Sequence, residues 1–365
     1  MTVFDRRPLL RWLVPVLAAL VLAVAGTAVG VISATARGGL PDRTAAQLLV
    51  DVQQARLDGL SGTIVQNADL GLPSLPDVGG GSGGSGSSDL ASLVSGSHTL
   101  RLWYAGPDHV RLALLGSLGE SDVVRTGTDL WTWSSKDKSA THRTLPSSAD
   151  APHSLADASP LTPQQAADAA LKAITPSTKV STDGTAVVAG RSAYELLLQP
   201  RDQASLVSSV RVAIDGRTHV PTRVQVFGSD TAKPALEVGF TSFDATRPDA
   251  SVFRFNPPPG TKVTEGSTPK AGASGLAQRS GSRLQHSKPQ VVGSGWTSVL
   301  LAQAPALPKA GPTAELAKAL PAVSGSWGSG HLLRGSLFSA VLTDDGRVAV
   351  GPVAPDRLYA ALARR

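Results

Sequence analysis

Apolar and polar residues alternate through several stretches of this chain. Tyr194, Leu196 and Leu198 share one face of an extended segment, as do Val210, Val212 and Ile214, and Leu236, Val238 and Phe240. A period of two gives a sheet with one apolar and one wet side, as antiparallel sheets commonly have. The same pattern predicts strands over 62–66, 100–104, 110–115, 121–125, 130–134, 194–199, 210–215, 222–227 and 236–243. Ala105-Gly106-Pro107-Asp108 and Asp215-Gly216 supply turn residues between neighbouring strands.

Two segments carry a helical period instead. Pro41 and Asp42 open a helix over 42–57, with Leu48, Leu49, Val52 and Ala55 as its stripe and Gly59 as its stop. Thr162-Pro163-Gln164-Gln165 is a capping box with proline at the first helical position, and the helix runs to Ile174 before Thr175-Pro176. One large apolar sheet face thus has two amphipathic helices available to cover it. Further on, 291–303 begins with a strand-like run and 313–320 is a short helix candidate. Strands over 337–342 and 348–353 flank Thr343-Asp344-Asp345-Gly346, and a helix over 355–365 closes the chain.

The N-terminus is of another kind. Residues 12–36 hold no charge, and 13–32 is about the 20 residues a membrane-spanning helix needs. Arg6, Arg7 and Arg11 precede it, so the positive-inside rule keeps the N-terminus in the cytoplasm and exports the rest. Two fates fit: a retained anchor, because the run exceeds a signal core, or cleavage after Ala36 at Ala34-Thr35-Ala36. Arg6-Arg7 reads as an ordinary positive signal region rather than a twin-arginine signal, and Gly26-x-x-x-Gly30 is a chance match in so small-residue-rich a run. The expected organisation is a membrane anchor or signal segment (1–37), a β-rich domain (38–264), a Gly/Ser/basic linker (265–290) and a small C-terminal module (291–365).

Composition narrows the function. The chain has 365 residues and no cysteine, which excludes disulfides, a thiol nucleophile, a cysteine-ligated metal and lipid attachment through an N-terminal cysteine. The net charge of +6 comes from the two segments outside the expected domains: Arg6, Arg7, Arg11 and Arg37 against Asp5, and Lys270, Arg279, Arg283 and Lys288 against Glu265. Without a basic folded face, no nucleic-acid partner is expected.

Catalytic signatures are missing. The seven histidines, His98, His109, His142, His153, His219, His286 and His331, form no metal-ligand spacing, and no phosphate-binding glycine loop is present. Gly80-Gly81-Ser82-Gly83-Gly84 matches a nucleophile elbow formally, but lies in the low-complexity run 79–88 rather than between a strand and a helix. The chain is therefore expected to be a binding protein rather than an enzyme, with no cofactor and no metal. Trp131 and Trp133 share one strand face, as core or as a wall of a lipid-sized cavity. Arg101, Arg111, Arg125 and Arg143 read as a solvated outer face.

Four segments, in this order, carry a family resemblance: R-x-G-x-D-L-W-x-W (125–133), V-x-I-D-G-R-T-x-x-P-x-R-V-x-V (212–226), L-E-V-x-F-T (236–241) and F-x-F-x-P-P-P-G-x-K-V (253–263). Together they span about residues 42–265, and the chain there resembles the LolA-like superfamily of extracytoplasmic proteins. That superfamily covers the lipoprotein carriers, the mycobacterial-type lipid-binding lipoproteins and the N-terminal domain of RseB/MucB regulators. The resemblance implies an incomplete antiparallel β-barrel capped by helices around an apolar cavity that binds acyl chains. Leu112, Leu114, Trp131, Trp133, Leu196, Leu198, Val212, Ile214, Leu236, Val238 and Phe240 are the candidate lining residues, chosen by alternation. The implied partners are a lipid or acylated protein and the cytoplasmic membrane. The domain–linker–module layout is similar to RseB/MucB regulators, which implies an anti-sigma factor or other membrane-protein partner as the alternative. The missing cysteine, the Gly/Ser run after the first strand and the C-terminal module depart from the minimal carrier pattern. Abundant Ala, Gly and Val with few Lys and Asn point to a high-GC, actinobacterial source.

Overall fold

The computed structural model describes residues 40–72, 95–116, 119–145, 176–266, 289–303 and 320–364. The expected membrane segment, the glycine-rich run, the 162–174 helix, most of the linker and the 313–320 helix lie outside the described residues. Among the described residues no helix is long and apolar enough to cross a membrane.

The chain is mainly β, with two α-helices among the described residues. Helix α1 (Ala45–Gln54) starts later than 42 because Thr44, not Asp42, caps it: Thr44 Oγ1 accepts from the Gln47 amide at 3.2 Å, and Gln47 Oε1 accepts from the Thr44 amide at 2.9 Å. This reciprocal pair satisfies two of the orphan donors of a helix start.

Six strands follow: β1 (Leu60–Ala68), β2 (Gly96–Tyr104), β3 (His109–Gly116), β4 (Gly119–Thr126), β5 (Asp129–Ser134) and β6 (Ser139–Thr144). The next five are β7 (Thr178–Val188), β8 (Arg191–Pro200), β9 (Val207–Asp215), β10 (Pro221–Gly228) and β11 (Pro234–Asp244), and β12 (Lys262–Glu265) completes the set. They form one twelve-stranded sheet ordered β12-β6-β5-β4-β3-β2-β1-β11-β10-β9-β8-β7. All neighbours are antiparallel except β12, which runs parallel to β6. The sheet is thus mixed, where an antiparallel one was expected, and it is not closed into a barrel. The exception follows from the path: after β11 the chain crosses behind β3–β5 and reaches the far edge pointing the same way as β6.

The sheet curls. The Arg191 guanidinium lies 5.2 Å over the Phe243 ring, although two strands separate β8 from β11. A β-bulge helps: Thr241 is an extra residue between Thr63↔Ser242 and Ile64↔Phe240, which bends β11 and turns both Phe240 and Phe243 to one side. Gly62 sits in this bend with no room for a side chain, since a Cβ there would lie 2.3 Å from Ser242 O.

The C-terminal unit is a second, six-stranded antiparallel sheet. Its strands are β13 (Gln290–Val292), β14 (Val299–Gln303), β15 (Ala322–Gly325), β16 (Gly328–Arg334), β17 (Ser339–Thr343) and β18 (Arg347–Gly351), ordered β13-β14-β18-β17-β16-β15. The expected β17–β18 hairpin closes with the Gly346 amide donating to Thr343 O at 3.0 Å and Gly346 at φ +85°. Helix α2 (Pro355–Ala363) packs Leu358, Ala361 and Leu362 on Val299, Val341, Ala349 and Val353. The unit is tied to the large sheet: the Leu206 amide donates to Pro352 O and the Ser336 amide to Leu70 O.

Candidate functional site

Direct partners in an antiparallel ladder project to the same face. The pairs Leu114↔Leu100 and Leu112↔Leu102 put both β3 leucines on the face carrying the β2 leucines. Leu60↔Tyr104 and then Ile64↔Phe240 and Gln66↔Val238 carry that face through β1 to β11. Val238↔Val224, Val224↔Val212 and Val212↔Leu196 carry it through β10 and β9 to β8. Nine candidate residues from four strands therefore lie on one continuous face: Leu112, Leu114, Leu196, Leu198, Val212, Ile214, Leu236, Val238 and Phe240.

Trp131 and Trp133 do not. Leu112 opposes Val123 and Val123 opposes Thr132, so the apolar face continues through Thr132 while both tryptophans point to the opposite face. The expected grouping is corrected here. Alternation put the tryptophans together, but the register of β3–β5 sets which side they take. Behind the sheet they meet a partner far away in sequence, with Phe255 centred 5.3 Å from Trp131 and 6.3 Å from Trp133. Phe255 belongs to the crossing segment between β11 and β12, which is held down by Thr126 Oγ1 donating to Phe253 O.

The arginines divide likewise, so the reading of one solvated face is also corrected. Arg111 joins the tryptophan face and pairs at 2.5 Å with Asp122, whose side chain is buried, while stacking over Trp103. Burial, reinforced by the hydrogen bond and charge of Asp122, pushes the Glu120 carboxyl up from the ordinary range. Arg125, directly opposite Val110, lies on the other face, where it pairs with Asp108 at 2.7 Å.

The apolar face holds three clusters, each meeting this chain's own segments. Leu60, Ile64, Leu100, Leu102, Leu112, Leu114 and Phe240 form the first, with Leu57 and Phe243 against it. In the second, α1 lays Leu48, fully buried, on Tyr194, Leu196 and Ile214, and Tyr194 Oη donates to Pro41 O at 2.9 Å. The third brings Trp296 and Leu337 of the C-terminal unit onto Val224, Val226, Val212 and Leu236, and Trp296 Nε1 donates to Thr178 Oγ1 at 2.7 Å. Trp296→Phe keeps an aromatic ring but removes this hydrogen bond and part of the indole's packing, so thermal unfolding is expected to show a loss of at least about 1 kcal/mol.

Two cavities formed by described residues lie elsewhere. One of about 450 Å³ is lined by Thr126, Asp129, Trp131 and the 253–256 segment on the tryptophan face; one of about 300 Å³ lies beside Trp327 and Arg347 in the C-terminal unit. Among the described residues no cluster of acidic and histidine side chains could hold a metal ion.

No protein-family model matches the chain and no curated protein matches it. Solved structures do. They include the MucA/MucB complex of Pseudomonas aeruginosa, at 15% identity over 87% of this chain and 96% of that one with a TM-score of 0.41. MucB in complex with MucA(peri) matches at 15% identity over 87% of this chain and 97% of that one, with a TM-score of 0.43. A LolA superfamily protein from Nitrosomonas europaea matches at 10% identity over 59% of this chain and 99% of that one, with a TM-score of 0.22. MucB and LolA superfamily proteins, the groups that the four sequence segments resemble, are thus among the solved structures to which the chain is similar.

Proposed function

We propose that this chain is an extracytoplasmic binding protein, tethered to the cytoplasmic membrane by residues 1–37 or released by cleavage near Ala36, that takes lipids or lipoprotein acyl chains against the apolar face of its large sheet. The observation that carries the reading is the continuity of that face across β3, β2, β1, β11, β10, β9 and β8. Burying an alkyl chain there is worth about 0.8 kcal/mol per methylene and needs no catalytic group. α1 is the element that stands between such a chain and Tyr194, Leu196 and Ile214. Its burial of Leu48 makes it the cover that a bound chain would displace.

A second reading is a regulatory module of the RseB/MucB kind that captures a membrane-protein partner. Trp296 and Leu337 favour it, because they place the C-terminal unit on the same apolar face. An acyl chain entering there would compete with that unit and so couple lipid occupancy to partner capture.

Native mass spectrometry of residues 38–365, exported and purified from the host without detergent, tests the first reading. One co-purified lipid or acylated peptide per chain is the expected result. No such ligand, and no uptake of added lipids, overturns it. Deleting 291–365 tests the second: loss of partner capture with lipid uptake retained is expected, and unchanged capture and signalling overturn it.

A further inference from the structure

His142 stands at the edge of the large sheet where β5, β6 and β12 meet. Its Nε2 lies 2.8 Å from Asp129 Oδ1 on β5, and its Nδ1 lies 3.0 Å from Glu265 Oε2 on β12. An ionised carboxylate only accepts, and a neutral imidazole carries a single N–H. Both contacts are therefore hydrogen bonds only when both ring nitrogens hold a proton. The ring also stacks on Trp131, with centroids 4.4 Å apart and planes 21° apart, a placement that suits a cation over an indole.

The charged groups around the ring come from every neighbouring element. Asp129 comes from β5 and Glu265 from β12. Arg143, next to it on β6, has its side chain under Gly266, and Arg254 of the crossing segment lines the same cavity as Asp129. The hydrogen bond to Asp129, with that to Glu265 and the charge of both, raises the imidazole above its ordinary 6.5, against the opposing effect of partial burial. Among the described residues little else holds β12: its four residues are exposed, Val263 among them, and β6 is its one partner strand.

We propose that His142 is a proton-operated latch for the edge strand β12. Protonated, it bridges Asp129 and Glu265 and holds the C-terminal end of the strand on the sheet. Neutral, it keeps one partner and lets that end peel away. The latch is thus present at low pH and is lost as pH rises from 6.5 through the higher value of the folded protein. Gly266, whose amide donates to His142 O at 2.7 Å, is the last residue before the segment joining the two sheets, so the latch sets where that connection leaves the sheet.

Amide exchange in the full chain tests this, read by NMR between about pH 5.5 and 8.5 and corrected for the intrinsic rate. The Gly266 amide is expected to lose protection several-fold with rising pH, while the Lys262 amide, bonded to Lys138 O at 2.8 Å at the other end of the strand, keeps its protection. His142→Phe keeps the stack on Trp131 and removes both nitrogens, and it is expected to show low Gly266 protection at every pH. Glu265→Gln, on an exposed side chain, is expected to abolish the step and to lower the pH at which His142 titrates. A wild-type profile without a step, or the same step in either variant, overturns the proposal.

Discussion

Asp215→Asn is expected to cost about 2–3 kcal/mol at neutral pH. Asp215 ends β9, and its side chain is only 1% exposed. Arg191 grips it with two bonds, Nε to Oδ2 at 2.6 Å and Nη2 to Oδ1 at 2.8 Å. The amides of Arg217 and Thr218 and the Thr218 hydroxyl also donate to Oδ1. Burial alone would raise this carboxyl, but the Arg191 bond and the two Thr218 bonds outweigh it and bring the pKa down to about 2. A carboxyl lowered on folding stabilises the protein above its unfolded pKa of 3.8, and that contribution drains away as pH falls through about 2. Urea unfolding of both proteins should therefore show a wide gap at pH 7 that closes between about pH 4 and 2. Parallel profiles down to pH 2 would show that the charge contributes nothing.

The same residue shows where sequence reasoning stopped. Asp215-Gly216 reads as a hairpin turn signal between strands over 210–215 and 222–227, and a hairpin is there. Its internal geometry was not legible: the Asp215 amide donates to Val220 O at 2.9 Å, and His219 adopts φ +57°. The Asp215 carboxylate organises this loop by collecting its amides, a role that depends on Arg191 arriving from the next strand. Within single strands the alternation was legible, because burial on one side leaves its period in the residues. The nine candidates on β3, β8, β9 and β11 were found this way.

What alternation cannot give is the phase of one strand relative to the next. β4 has valine on both faces, Val123 and Val124, so nothing local tells β5 which side its tryptophans take. The deciding partner, Phe255, lies more than a hundred residues further on. β6 (SATHRT) and β7 (TKVSTDGTAVV) were missed because their residues are mostly polar, and they become strands through their neighbours' ladders rather than an apolar period of their own. β12 was read as ending at a linker because four exposed residues leave no hydrophobic signal. Trp296 was part of a strand-like run, and its reach to Thr178 depends on how the second unit sits against the first.

Leu114→Ala is expected to be the most damaging truncation on the apolar face, and its couplings report the register directly. Leu114 is fully buried in the cluster with Leu100, its cross-strand partner, and emptying such a site costs about 3–5 kcal/mol. Because the two side chains share one cavity, Leu100→Ala in the same chain should be non-additive with it by about 0.5–3 kcal/mol. Trp133 is the contrasting case. It lies two strands from Leu114, roughly 10 Å at 4.8 Å per strand, and on the other side of the sheet. Trp133→Phe should therefore add to Leu114→Ala within about 0.5 kcal/mol. Chemical denaturation of the three single and two double variants, with wild type, measures both couplings. A coupling of Trp133 to Leu114 as large as that of Leu100 would return the tryptophans to the apolar face and rejoin them with the residues proposed to hold a lipid. An additive Trp133 alongside a coupled Leu100 keeps the proposed lipid site on the apolar face and leaves the tryptophan face to the crossing segment and the His142 edge.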